Sequence, residues 1–152
     1  AALTGHSPDP VGWYPSQRVP LLIKIPGADA ARGEVATPAG HQDVAPTVLA
    51  MLGVDPGPYA FVGRNLLGDP GSAPVVGEYH CWRDAQHIFL QGEGRWEDGE
   101  CFPLPELTRV DVTECAIGNS DAMAQVRASR LVLEHDLQAE NHRRLATADT
   151  SK

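Results

Sequence analysis

Apolar and polar positions along this chain change rhythm twice. Leu21, Leu22, Ile23 and Ile25 form an apolar run broken by Lys24 and bounded by Pro20 and Pro26. Apolar residues on successive positions suit a strand buried on both faces, as in a mostly parallel sheet covered by helices. Residues 28–40 are small and polar and read as a loop, as do residues 1–18 with their closely spaced prolines. Val44, Val48, Leu49, Met51 and Leu52 then recur at helical spacing. Asp43 is placed to cap that helix by accepting from its first-turn N–H groups, and Pro46 stands where a missing N–H costs little. Gly53 suits the left-handed residue that ends it.

Residues 55–72 are turn-rich, with Phe61-Val62-Gly63-Arg64-Asn65-Leu66-Leu67 as a short packed segment. Beyond them the pattern predicts short strands at 75–79, 86–91 and 95–102. Arg83-Asp84 and Gly92-Glu93-Gly94 fall at the turns, which makes a small antiparallel sheet. Asn119-Ser120-Asp121 offers a helix start, and one helix is expected to run to about residue 145. Met123, Val126, Leu133 and Leu137 fall near one of its faces. The chain thus divides into residues 1–72, residues 73–145 and a fraying tail, 146–152.

Composition narrows the choices. With 152 residues the chain can bury one core of ordinary size, and 15 glycines with 13 prolines demand many turns. A formal charge of −8 with no Lys/Arg cluster excludes a nucleic-acid surface. No apolar run approaches the roughly 18 residues that cross a bilayer. The first residues lack the basic and apolar regions of a cleavable signal, so any targeting segment is expected outside this sequence. Cysteines 81, 101 and 115 give an odd count. A bond between Cys101 and Cys115 would close about 15 residues, worth on the order of 3 kcal/mol. Three reduced thiols in a cytosolic protein are the other reading that the residues leave open.

The order of the run at 19–27, the segment at 40–54 (Gly40-His41-Gln42-Asp43-Val44-Ala45-Pro46-Thr47 and its apolar continuation to Gly53) and the segment at 61–67 resembles the late part of the catalytic domain in sulfatase-like enzymes of the alkaline-phosphatase superfamily. The lipoteichoic-acid-synthase and phosphoglycerol-transferase branch is the nearest in wording. The resemblance implies an α/β fold (α+β as an isolated piece), with the strand at 21–25 in a main sheet and a small antiparallel sheet and closing helix behind it. It also implies a Cys101–Cys115 disulfide with Cys81 free, and work on the extracytoplasmic face of a cell membrane.

In that family a divalent metal, manganese or magnesium, is held by an acidic residue, a threonine nucleophile and a consecutive Asp-His pair. Such a cation activates the hydroxyl and neutralises the transferring phosphoryl group. No Asp-His pair stands in this sequence. The resemblance therefore implies a piece with no catalytic residue, no metal ligand and no cofactor of its own. Its partner would be the upstream catalytic portion of the same enzyme, whose substrate is a lipid-linked glycerophosphate. His6 would line the mouth of that active site. An isolated piece should leave the edge of 21–25 and one apolar side of the helix at 44–52 bare, and so self-associate.

Other candidates read as structural. Thr47, inside a first helical turn, is expected to bond backbone. His41 belongs to a loop, and His80-Cys81 with His87 fits no paired zinc spacing. Glu93, Glu97, Asp98 and Glu100 form an acidic hairpin tip. His135, Glu134 and His142 make a polar helix face. The alternative to a catalytic fragment is a stand-alone binding module in which Trp82, Trp96 and the acidic tip dock a polymer or a partner.

Overall fold

The computed structural model describes residues 19–27, 33–68 and 71–149. Contacts divide the chain into two compact units, residues 1–36 and 37–152. In the first unit the expected strand at 21–25 does not form: these residues are irregular and pair with no strand among the described residues. Val19, Leu21 and Ile23 are exposed, and Leu22 is 90% exposed. A strand needs a neighbouring edge for its N–H and C=O groups, and apolar content alone supplies none.

The second unit begins with a 3₁₀ turn, His41–Asp43, that leads into helix α1, Val44–Met51. Its sheet has four strands in the order β1 (Val75–Val76), β2 (Trp82–Arg83), β3 (His87–Leu90) and β4 (Glu100–Pro103), each antiparallel to its neighbour. Strands 75–79 and 95–102 are thus shorter than expected, because 3₁₀ turns at Glu78–His80 and Trp96–Asp98 take their ends. A further 3₁₀ turn, Val112–Cys115, runs into helix α2, Ala116–Glu134, and α3 follows at Leu137–Asp149. The arrangement is α+β.

The register places Val76, Trp82, Phe89 and Cys101 in one row across all four strands. Since alternate residues share a face, this row is one side of the sheet. Trp82, Phe89 and Cys101 are completely buried there with Cys115 and Ala122 of the helical side, and Trp82 stacks on Phe89 at 5.7 Å between ring centroids. Trp82 Nε1 donates to Asn119 Oδ1 (3.4 Å). Asn119 is therefore not the helix cap expected at 119–121. It lies inside α2, which starts earlier because the preceding 3₁₀ turn feeds it. Ile88 and Phe102, on the opposite row, are also buried.

The single helix expected to residue 145 is two. His135 closes α2, and Asp136 takes a left-handed conformation (φ 48°) before α3 begins. Aspartate tolerates that geometry better than most residues, so the chain turns there without glycine. Helix α3 continues through residues 146–149, where fraying was expected.

Candidate functional site

The most constrained polar cluster surrounds the start of α1. Asp43 and Thr47 are completely buried. Asp43 does not cap α1 by accepting from its first turn. Its carboxylate instead accepts from the N–H of Gly40 (2.9 Å) and of Arg64 (2.7 Å). Thr47 Oγ1 donates to the Asp43 carbonyl (2.6 Å) and accepts from the N–H of Leu66 (3.0 Å). Arg64 Nη2 donates to the Pro38 carbonyl (3.0 Å) and lies 3.6 Å from Asp43 Oδ2. A side chain at Gly63 would overlap the Gln42 carbonyl, so only glycine lets the 61–67 segment lie this close. Two segments that are adjacent only in space are thereby stapled: 40–47 supplies the Asp43 and Thr47 side chains, and 63–66 supplies backbone N–H groups and the Arg64 guanidinium.

Thr47 is not a nucleophile in this setting, because its hydroxyl is buried with both donor and acceptor engaged. Gly53 does end the helix as expected. Its φ is +76°, with Gly53 N–H donating to Ala50 O (3.0 Å) and Val54 N–H to Leu49 O (2.9 Å). The buried side of α1 is Pro46 and Thr47, while Val48 and Leu52 are 43% and 72% exposed. Val44, Leu49 and Met51 of the same helix are half-buried.

Cys101 and Cys115 form the disulfide, tying β4 to the turn before α2. Cys81 is free and half-buried, its Sγ accepting from Gln91 N–H (3.3 Å). His6 lies outside the described residues. His41 and His80 are exposed, and His87 Nδ1 stands 3.6 Å from Asp84 Oδ1. Among the described residues no three His, Cys, Asp or Glu side chains lie together as metal ligands. Likewise no helix among the described residues is long and apolar enough to cross a membrane.

The surface expected of a binding module is differently used. Trp82 is fully buried, and Trp96 is half-buried against the core. Two residues of the acidic tip have local partners: Asp98 accepts from Arg95 N–H (3.2 Å), and Glu100 meets Arg109 Nη1 (2.7 Å). Exposed carboxylates elsewhere are held below their usual range. At Asp111 the Thr113 hydroxyl and N–H do this, and at Glu140 the Arg143 guanidinium does.

A groove of about 440 Å³ opens between the 3₁₀ turn before α1, β1 and the later part of α2. Val76, Val126 and Leu133 form its apolar wall. Gln42 Nε2 donates to Gln125 Oε1 (3.1 Å) and Gln125 Nε2 to Pro74 O (2.8 Å), which ties the α1 region to the sheet and α2. Sequence reasoning missed the roles of Arg64, Gly63 and Gln125 and took Asn119 for a cap; their partners are 21 to 83 residues away, too far for local pattern to reveal. The glycine within an apolar segment at 61–67 was the one available signal, since such a glycine marks close backbone approach. No protein-family model, no curated protein and no solved structure matches this chain.

Proposed function

We propose that this chain is the C-terminal structural part of an extracytoplasmic, metal-dependent sulfatase-like enzyme, nearest the phosphoglycerol transferases. The observation that carries the reading is the staple at Asp43 and Thr47. The two segments whose wording carries the resemblance, 40–54 and 61–67, are the ones these side chains join. The exposed Val48 and Leu52 at α1 and the unpaired run at 19–25 add to it, since both suit covering by further chain. In this reading the metal, the threonine nucleophile and the Asp-His pair belong to the upstream portion. That portion transfers a glycerophosphate-type group from a lipid, and the present residues buttress it without touching the reacting atoms.

The test is to extend the reading frame upstream of Ala1 and compare the longer polypeptide with the 152-residue chain. Manganese titration by calorimetry and phosphodiester turnover are followed for both. The reading expects an upstream Asp-His pair, metal binding and turnover in the longer polypeptide, and neither binding nor turnover in the shorter one. Micromolar manganese binding by the 152-residue chain, or an upstream frame without that pair, would sink it.

A further inference from the structure

One charged donor in the second unit has no acceptor. Arg83 lies in β2 and is half-buried. Its Nε is shut off from solvent without a hydrogen-bond partner, which is true of no other buried side-chain nitrogen or oxygen among the described residues. The other described arginines are differently placed. Those at 64, 109, 130 and 143 face carboxylates, Arg144 donates to Asn141, and Arg95 and Arg127 are exposed.

The surroundings of Arg83 hold no counter-charge. The register sets it beside Val75 and Ile88, with Phe102 beyond, so its row across the sheet is otherwise apolar. The adjacent carboxylate, Asp84, is taken by the N–H groups of Gln86 (2.7 Å) and His87 (2.6 Å). On the same side of the sheet the turn that carries Asp43 packs against Val75, since a Cβ at Gly40 would lie 2.9 Å from Val75 Cγ1. Asp43 is itself committed to Arg64. The sequence has 20 carboxylate side chains to offer, and among the described residues the fold brings none of them to Arg83. A charge drawn out of water without a partner is costly, and packing in this row would be served as well by an uncharged side chain. What the guanidinium adds is a rigid pair of N–H donors, at Nε and Nη, spaced to match two oxygens of a carboxylate or phosphate.

We propose that Arg83 is an oxyanion site, which holds a carboxylate or phosphate group of a small ligand through this pair of donors. Nε is covered by protein, so uptake moves the side chain on its flexible stem. The site lies outside the functional reading above and stands or falls separately from it.

The experiment follows the arginine Nε–Hε resonances of the whole 152-residue chain by NMR. Inorganic phosphate and, separately, acetate are added at constant ionic strength, and Arg83 is assigned by its loss in Arg83→Met. Its resonance should move to saturation, while those of the exposed Arg95 and Arg127 should not. Saturation by phosphate alone assigns phosphate groups, by acetate alone carboxylates, and by both the chemistry they share. Arg83→Lys keeps the charge without the paired donors and should bind about tenfold more weakly or worse. At ten times the midpoint concentration the wild type should melt about 3–6 °C higher, beyond any general salt effect that Arg83→Met also shows. With no anion added, Arg83→Met should melt no lower than wild type, because it removes an uncompensated charge and keeps the apolar stem. Two results would overturn the proposal. An Arg83 resonance that moves no more than those of Arg95 and Arg127 would mean that water alone satisfies Nε. A lower melting temperature for Arg83→Met without anion would mean that the fold itself already does.

Discussion

The indole of Trp82 lies directly against Gly118, where even a single methyl group would overlap its six-membered ring. A glycine inside a helix costs about 1 kcal/mol relative to alanine, so its presence in α2 needs a reason, and this contact provides it. Gly118→Ala should therefore destabilise the chain by about 1–3 kcal/mol despite the better helix propensity. Urea unfolding followed by tryptophan fluorescence reads this directly. An unchanged or raised midpoint would mean that α2 does not sit on Trp82.

Thr47 separates packing from hydrogen bonding. Thr47→Val keeps the shape but takes the partner from the half-buried N–H of Leu66 and from the Asp43 carbonyl, and should cost about 1–3 kcal/mol. Thr47→Ser keeps the hydroxyl and loses one methyl, which should cost about 1 kcal/mol or less. Equal losses in the two variants, measured by denaturant midpoint, would refute the staple.

The Cys101–Cys115 bond spans 14 residues of sequence and lies wholly in the core. Removing it as the Cys101→Ser/Cys115→Ser pair should lower stability by about 3 kcal/mol. Intact-mass measurement after alkylation without reductant should show one modified thiol, Cys81, and after reduction in denaturant, three. Three modified thiols before reduction would rule the bond out.

Asp111 gives a titration with a definite sign. Its carboxylate accepts from the Thr113 hydroxyl (2.6 Å) and N–H (2.9 Å), and these bonds favour the charged form. A folded-state value held below the unfolded one contributes stability that is complete above the ordinary carboxylate range. That contribution is lost as pH falls through the depressed value. The group is exposed, so the effect belongs to its own titration more than to global stability. Carboxyl NMR should place Asp111 below an ordinary aspartate, and Thr113→Val should move it up. No movement on substitution would show that the hydroxyl bond is absent in solution.

The chain on its own should self-associate. Leu22 at 90% and Leu52 at 72% exposure belong to surfaces that water tolerates poorly when they are contiguous. Light scattering across a dilution series should show mass falling towards 16.3 kDa, and Leu22→Glu should lower the association at fixed concentration. A concentration-independent monomer would count against the bare-surface account.

Local chemistry was legible where a single residue decides. Gly53 announces the end of α1, Gly92-Glu93-Gly94 announces the turn between β3 and β4, and the cysteine spacing admits the bond that forms, whereas Arg83, expected in a turn with Asp84, belongs to the unexpected strand β2. What depends on a distant partner was not legible. The apolar run at 21–25 reads as a strand, but strand pairing is a property of two segments, and the described residues supply no second one. The break at Asp136 carries no glycine or proline, only an aspartate whose left-handed tolerance is too common to act as a signal. Asn119 looks like a cap by type and is an indole acceptor by position. At Asp43 the residue was picked out correctly, while its partners, Gly40 and Arg64, follow from a fold that pattern alone does not specify.

The staple at α1 has a consequence for how this region can vary. Asp43 and Thr47 reach the 63–66 segment through the N–H groups of residues 64 and 66, which every amino acid except proline possesses. Leu66 is thus recognised as a length of main chain. Many residues can replace it without the neighbouring segment registering the change. The requirement is concentrated in the Asp43 carboxylate, the Thr47 hydroxyl and the absence of a side chain at Gly63, with the Arg64 guanidinium as a further tie to Pro38. Across a set of related sequences those three positions should stay constant together while the letters between them drift, a signature that would outlast any recognisable similarity of the whole chain.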